Sequence, residues 1–140
     1  MNKMIELKEI MNWRYSTKKF DETKPVSEEK LQSILDITNL SASSYGLQPF
    51  KMIVVEDQAL KKKLVDYSYG QTQIGNSSHL VVFAVRTDID EAFIDNYVGH
   101  VAEQRGVSLE SLEGYKKMLQ GFVNKKDPVA VFKWASDQVY

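Results

Sequence analysis

Only two stretches of this chain have the composition of β-strands, and that limits its fold more than any other feature. Phe50–Val55 has Met-Ile-Val-Val at its heart, and Leu80–Val85 reads Leu-Val-Val-Phe-Ala-Val without polar alternation. Branched and aromatic side chains suit a pleated, half-buried surface. The second run, apolar throughout, predicts a strand buried on both faces. Against these two stand about six stretches with helical spacing. A two-stranded sheet is a poor core by itself. The predicted last helix also runs to Tyr140 without a glycine, a cluster of cations or a polar tail. Both features point to the first part of a longer design. The alternative is a complete, helix-rich small domain whose final helix frays.

The helix starts are written locally. Residues 4 to 13 carry Met4, Leu7, Ile10 and Met11 as one apolar stripe. Ser27 is a good N-cap, Glu28 and Glu29 suit the positive end of a helix dipole, and Leu31, Ile34 and Leu35 are the predicted buried face. Asp57 should cap a helix carrying Leu60, Leu64 and Val65. Tyr69–Ser78 is polar and separates that helix from the second strand. Asp88 or Asp90 should open a helix with Phe93, Ile94, Tyr97, Val98 and Val101 on one side, stopped at Gly106. Ser108 begins the next, with Leu112, Tyr115, Met118, Leu119 and Phe122. Asp127-Pro128 begins the last, with Val129, Phe132, Ala135 and Val139.

Composition excludes more than it proposes. The chain of 140 residues is one domain's worth, 43% hydrophobic and 26% charged, with a formal net charge of −1. That balance gives no global attraction to nucleic acid or to an anionic membrane, though a local patch can still hold a phosphate. There is no cysteine, so disulfides, thiolate metal sites and cysteine nucleophiles are out. No apolar run reaches the length of a bilayer span, and the N-terminus lacks a signal-peptide pattern, so we read the chain as cytoplasmic. No His/Asp/Glu set has convincing metal spacing. His79 reads as a hydrogen-bonded strand-end histidine, His100 as a surface or interface residue, and Lys61–Lys63 as a solvated face.

Two segments carry the chemistry. Trp13–Phe20, Trp-Arg-Tyr-Ser-Thr-Lys-Lys-Phe, puts a guanidinium, a hydroxyl and two ammonium groups in one turn. Arg14, Ser16 and Lys18 alternate, so an extended backbone points them the same way. Such a set suits an anion with several acceptor oxygens; alone, it reads as simply as a solvated basic loop. The second segment, Ser41-Ala42-Ser43-Ser44-Tyr45-Gly46-Leu47-Gln48-Pro49-Phe50, joins the second helix to the first strand. In this order and spacing the pair resembles the nitroreductase-like family of FMN-dependent NAD(P)H oxidoreductases. The likeness continues through Gly70–Gln73 and Ser78–Phe83, resumes at Trp134–Tyr140, and is weakest between Thr87 and Val131.

The resemblance implies an α+β fold, with a nitroreductase-like mixed sheet wrapped by helices and built as an intertwined homodimer. Residues 1–140 would be a single domain of that type, lacking its C-terminal strands. It implies FMN in a groove between subunits. Arg14 and Ser16, with Tyr15 between them, would hold the phosphate, and Lys18 would stand against the pyrimidine edge of the ring, where a cation stabilises the negative charge of the reduced flavin. Ser43 and Ser44 would reach the other subunit's flavin, though both serve equally well as turn or cap residues. Gln71 and Gln73 would contact the ring. Gly46 stands where many relatives have asparagine, and Phe122 lies where relatives often place an aromatic lid.

The implied reaction is ping-pong: NADH or NADPH delivers a hydride to FMN, then a nitroaromatic, a quinone or another flavin collects it. The cofactor carries the hard step, so no catalytic side chain is expected. The alternative is a non-catalytic flavin-binding or structural relative without the loop at the flavin's reactive face.

Overall fold

The structure, a computed structural model, describes residues 7–140; Met4, at the start of the predicted first stripe, lies outside them. Nine regular elements follow in order: α1 Leu7–Trp13, α2 Glu28–Asn39, β1 Phe50–Val55, α3 Gln58–Asp66, α4 Thr72–Asn76, β2 Leu80–Val85, α5 Glu91–Arg105, α6 Glu113–Asn124 and α7 Pro128–Asp137. Short 3₁₀ turns occupy Ser44–Gly46 and Leu109–Leu112.

The predicted caps are where the helices begin. Lys30 N–H meets Ser27 Oγ at 3.4 Å. Asp57 accepts from Leu60 N, Asp90 from Phe93 N and Asp127 from Ala130 N, at 2.6, 2.8 and 3.0 Å. Each bond satisfies an amide that the first helical turn leaves without a partner. Gly106 closes α5 in the left-handed region at φ +62°, its N–H shared between Ala102 and Glu103 carbonyls; residues with a side chain rarely adopt that backbone.

β1 and β2 form a two-stranded sheet. Arg86 N–H donates to Pro49 O at 2.9 Å at one end and His79 approaches Glu56 at the other, so the strands run antiparallel with residue 49 opposite 86. The mixed sheet expected from the resemblance is, among the described residues, this antiparallel pair.

The chain forms two compact units, one made of the described residues through Leu31 together with Val54–Leu80, the other of Gln32–Ile53 and Val81–Tyr140. The second holds the apolar core. Ile94 and Val98 of α5, Leu119 and Val123 of α6, and Val131 and Ala135 of α7 are buried in one cluster with Leu47 and Ile89, and Ala102 of α5 is buried one turn further on. Within each helix these residues recur every fourth position, which lines them up along one ridge. In the first unit α3 and α4 pack closely, because Gly75 has no side chain where a Cβ would stand 3.1 Å from Val65 Cγ2.

Several expectations change. Lys61 is not part of a solvated face: it is 1% exposed, and its ammonium donates to the Ser77 and Ser78 carbonyls. The polar run after α3 contains a short helix, α4. β2 is not buried on both faces, since Val82 and Phe83 remain 39% exposed; one neighbouring strand and the packed helices cover only part of it. In α2 only Leu31 is buried, with Ile34 and Ile37 facing outward. The stripe of α1 is also exposed, Leu7, Ile10, Met11 and Trp13 included. Periodicity sorts residues onto one face of a helix but does not supply the surface that covers it. Val139 lies beyond the end of α7.

Candidate functional site

The segment after α1 has no regular secondary structure and lies open to solvent. Arg14, Tyr15, Ser16 and Lys18 are all exposed. As the alternation predicts, Lys18 and Ser16 point the same way, with Nζ 3.5 Å from Oγ. The nearest acid downstream is already engaged: Asp21 accepts from the Thr23 hydroxyl at 2.6 Å and pairs with Lys24 at 3.1 Å. The Thr23 hydroxyl first, then Lys24, holds the Asp21 carboxyl below the ordinary carboxylate range. Among the described residues, Arg14 and Lys18 are in no ion pair. The turn therefore presents cationic donors with no carboxylate of the described residues on them.

Gln71 and Gln73 bracket the start of α4. Gln73 Nε2 donates to Gln71 Oε1 at 2.7 Å, which leaves the Gln71 amide nitrogen free to donate outward. Gly70, just before them, is left-handed at φ +68°, as is the exposed Tyr69 at +55°.

Ser43, Ser44 and Gly46 lie in the second unit, in a loop held in an unusual backbone. Tyr45, Gly46 and Gln48 have φ of +57°, +69° and +41°. For a residue with a side chain this region costs roughly 1–2 kcal/mol, and such strain persists only where surroundings impose it. Tyr97 and Tyr115 impose it here: both phenols donate to the Tyr45 carbonyl, at 3.2 and 2.6 Å, and lie 3.3 Å from each other. Burial, then the Tyr97 contacts, push the Tyr115 phenol above its ordinary value. Ser43 Oγ accepts from Gln48 N at 3.0 Å, closing the loop as a turn residue without capping the 3₁₀ turn it precedes, and Ser44 N–H donates to Gln138 Oε1 at 2.7 Å. Gly46 is required twice over, because an added Cβ would stand 2.7 Å from Tyr97 Oη. An asparagine at that position would collide with the phenol.

Phe122 packs between Tyr45 and Trp134, with ring centroids 4.9 and 5.0 Å away. The resemblance put Phe122 where relatives place an aromatic lid, and sequence reasoning gave Tyr97, Tyr115 and Gln138 no part in holding the loop. They bond to loop residues 52, 70 and 94 positions away, and no local pattern reports such pairings.

Comparison with known proteins agrees with this architecture. The Nitroreductase family matches residues 11–132. The chain is 32% identical over 142 residues to the Bacillus subtilis protein named "Putative NAD(P)H nitroreductase YfkO", a match covering 96% of this chain and 64% of that one. It is 34% identical over 149 residues to a Staphylococcus epidermidis protein named "Putative NAD(P)H nitroreductase SERP2086", covering 100% and 66%. The chain thus spans less than two thirds of the first of these relatives and 66% of the second. Its fold is similar to the crystal structure described as "a putative nitroreductase in complex with FMN" from Exiguobacterium sibiricum, with TM-score 0.75, 21% identity, 96% of this chain and 64% of that one. It is also similar to an NAD(P)H:FMN oxidoreductase structure, likewise named as putative, from Staphylococcus epidermidis, with TM-score 0.78, 18% identity, 99% and 65%. The motifs, the helix-rich fold and a match over most of its length together show that this chain belongs to the nitroreductase family.

Proposed function

We propose that this chain binds FMN and serves an NAD(P)H-dependent oxidoreductase of nitroreductase type. The observation that carries the reading is the Arg14–Lys18 turn, whose exposed cations have no carboxylate partner among the described residues and whose Ser16 hydroxyl and Lys18 ammonium face one way. That donor set fits a phosphate: a planar fork from Arg14, a hydroxyl from Ser16 and a mobile point charge from Lys18.

FMN, when bound, accepts hydride from NADH or NADPH and passes it to an electron-poor acceptor such as a nitroaromatic, a quinone or another flavin, in ping-pong order. The chain's own residues bind and orient. Arg14 and Ser16 hold the phosphate, Tyr15 lies between them, and Lys18 places positive charge where negative charge develops on the ring edge. The Gln71 amide, with Gln73 fixing it, is a donor toward the ring. Ser43, Ser44 and Gly46 belong to a loop whose strained backbone is locked by Tyr97 and Tyr115, as a preorganised contact surface requires. We read residues 1–140 as one such domain, acting in the cytoplasm as a homodimer. The exposed apolar stripe of α1 supports a second copy as its cover, because large apolar patches on an isolated chain mark interaction sites. Sedimentation at increasing concentration tests that part.

The decisive experiment is an absorbance titration of the purified chain with FMN, followed by NADH without oxygen. Saturable binding of flavin, bleached by NADH, is the expected result. Arg14→Ala should weaken binding roughly 10–100-fold, the value of a charge-assisted hydrogen bond of about 1.5–3 kcal/mol. Flavin that binds Arg14→Ala as tightly as the parent chain refutes the phosphate assignment. Flavin that binds but is not bleached leaves a non-catalytic flavin protein.

A further inference from the structure

A second polar cluster lies in the first unit, made of residues outside the basic turn and independent of the flavin reading. A cleft of about 650 Å³ opens beside the start of α2, with Glu28, Glu56, Lys61 and His79 in its wall. The strand register puts residue 56 opposite 79, one step past the end of the ladder, since 49 lies opposite 86. His79 Nε2 accordingly stands 3.8 Å from Glu56 Oε1. Glu28, in the first turn of α2, completes the set, and one donor atom from each of the three lies within 4.8 Å of the others.

The histidine is the fixed member. Its side chain is only 11% exposed, and its Nδ1 is 3.0 Å from Ser78 Oγ. That hydroxyl oxygen also accepts Val26 N–H at 3.2 Å and has a second lone pair for Nδ1–H. In that tautomer Nε2 presents its lone pair toward the two carboxylates, the arrangement in which a ligating histidine is oriented by its other nitrogen. The carboxylates are the mobile members; Glu56 is 61% exposed and can close on an ion without disturbing the core. Glu22 adds negative charge to the same wall, where Asp21 is already paired with Lys24. Lys61, in the same wall, is turned onto the Ser77 and Ser78 carbonyls.

We propose that Glu28, Glu56 and His79 form a site for one divalent transition-metal ion, zinc being the best match, which ties the start of α2 to the paired strand ends. One imidazole and two carboxylates are zinc ligands, and imidazole selects such ions over magnesium and calcium, which take oxygen donors.

The test is a calorimetric titration of the tag-free chain with zinc chloride, and separately with magnesium chloride. One zinc per chain is expected, with a rise in melting temperature as zinc is added and no comparable magnesium binding. Losing a ligand should cost at least the roughly 10–100-fold in affinity typical of losing a ligand's supporting contact. Glu28→Gln and Glu56→Gln each remove one carboxylate at an exposed position, so both variants keep the fold, and circular dichroism checks it. His79→Gln should abolish one-to-one binding, and His100→Gln, at a separate exposed histidine 3.8 Å from Glu103, should leave it unchanged. Absent saturable zinc binding, or binding as tight in Glu28→Gln and Glu56→Gln as in the parent, overturns the site, leaving only a cross-strand contact between His79 and Glu56. Loss of binding in His100→Gln overturns it equally.

Discussion

Lys61 offers the sharpest test of how the first unit is held together, because its neighbours serve as controls. Lys61, Lys62 and Lys63 are consecutive and chemically identical, yet the first is 1% exposed and the other two are exposed. The Lys61 stem fills space in the first unit, and its ammonium closes the carbonyls of Ser77 and Ser78, the latter at 2.7 Å. Lys61→Met keeps most of the volume and removes both donors. Each carbonyl left without a partner costs about 1–3 kcal/mol when buried, and these two are half-buried, so the lower end applies to each. Relief from desolvating the ammonium offsets part of the loss. A net destabilisation of about 1.5 kcal/mol follows. With an unfolding entropy of about 2.1 cal/mol/K per residue, a chain of 140 residues has about 0.3 kcal/mol/K, so the melting temperature should fall by about 5 °C. Lys62→Met and Lys63→Met should each stay within about 0.5 kcal/mol of the parent. The measurement is thermal and urea unfolding followed by far-ultraviolet circular dichroism. If Lys61→Met unfolds with Lys62→Met and Lys63→Met, the ammonium does not carry these carbonyls and the reasoning fails.

Three further outcomes can be read from the second unit. Gly46→Ala should cost about 2 kcal/mol, from the left-handed backbone and the 2.7 Å approach to Tyr97 Oη; Tyr97→Phe added to it should restore part of that loss, and strict additivity in urea unfolding would refute the contact. In an alkaline titration of tyrosinate absorbance, one of the seven tyrosines should ionise later than the rest, and Tyr115→Phe should remove that late phase. Because the folded-state value of Tyr115 is raised above 10.0, its contribution to stability is complete below pH 10 and is lost as pH rises further; stability measured on both sides of pH 10 should fall less in Tyr115→Phe. Gln138→Ala removes the acceptor of Ser44 N–H and should destabilise by about 1 kcal/mol, read by the same unfolding curves.

The basic turn and the serine loop were legible in the sequence because their residues are neighbours in it. Arg14, Ser16 and Lys18 alternate, and the structure keeps Ser16 and Lys18 on one side. What fixes the loop was not legible. Tyr97 and Tyr115 look like ordinary members of helical stripes, and nothing near them in sequence announces that their hydroxyls meet at the Tyr45 carbonyl. The same holds for Glu28, Glu56 and His79, whose spacing matches no metal motif, although the strand register makes two of them partners.

The sequence by itself determined where most elements start, α4 excepted. Ser27, Asp57, Asp90 and Asp127 accept an amide three residues on, Gly106 takes the left-handed turn, and β1 and β2 occupy the predicted residues. Such caps are bonds between near neighbours, so the local sequence contains all their parts. Tertiary structure decided which face is covered: Lys61 inside and Lys62 outside, Leu31 inside and Ile34 outside, β2 half-open. Burial depends on what another segment brings to the surface, and the bonds that lock the loop span 52 to 94 residues. A periodic stripe shows that a face can be buried, and only the packed chain shows which faces are.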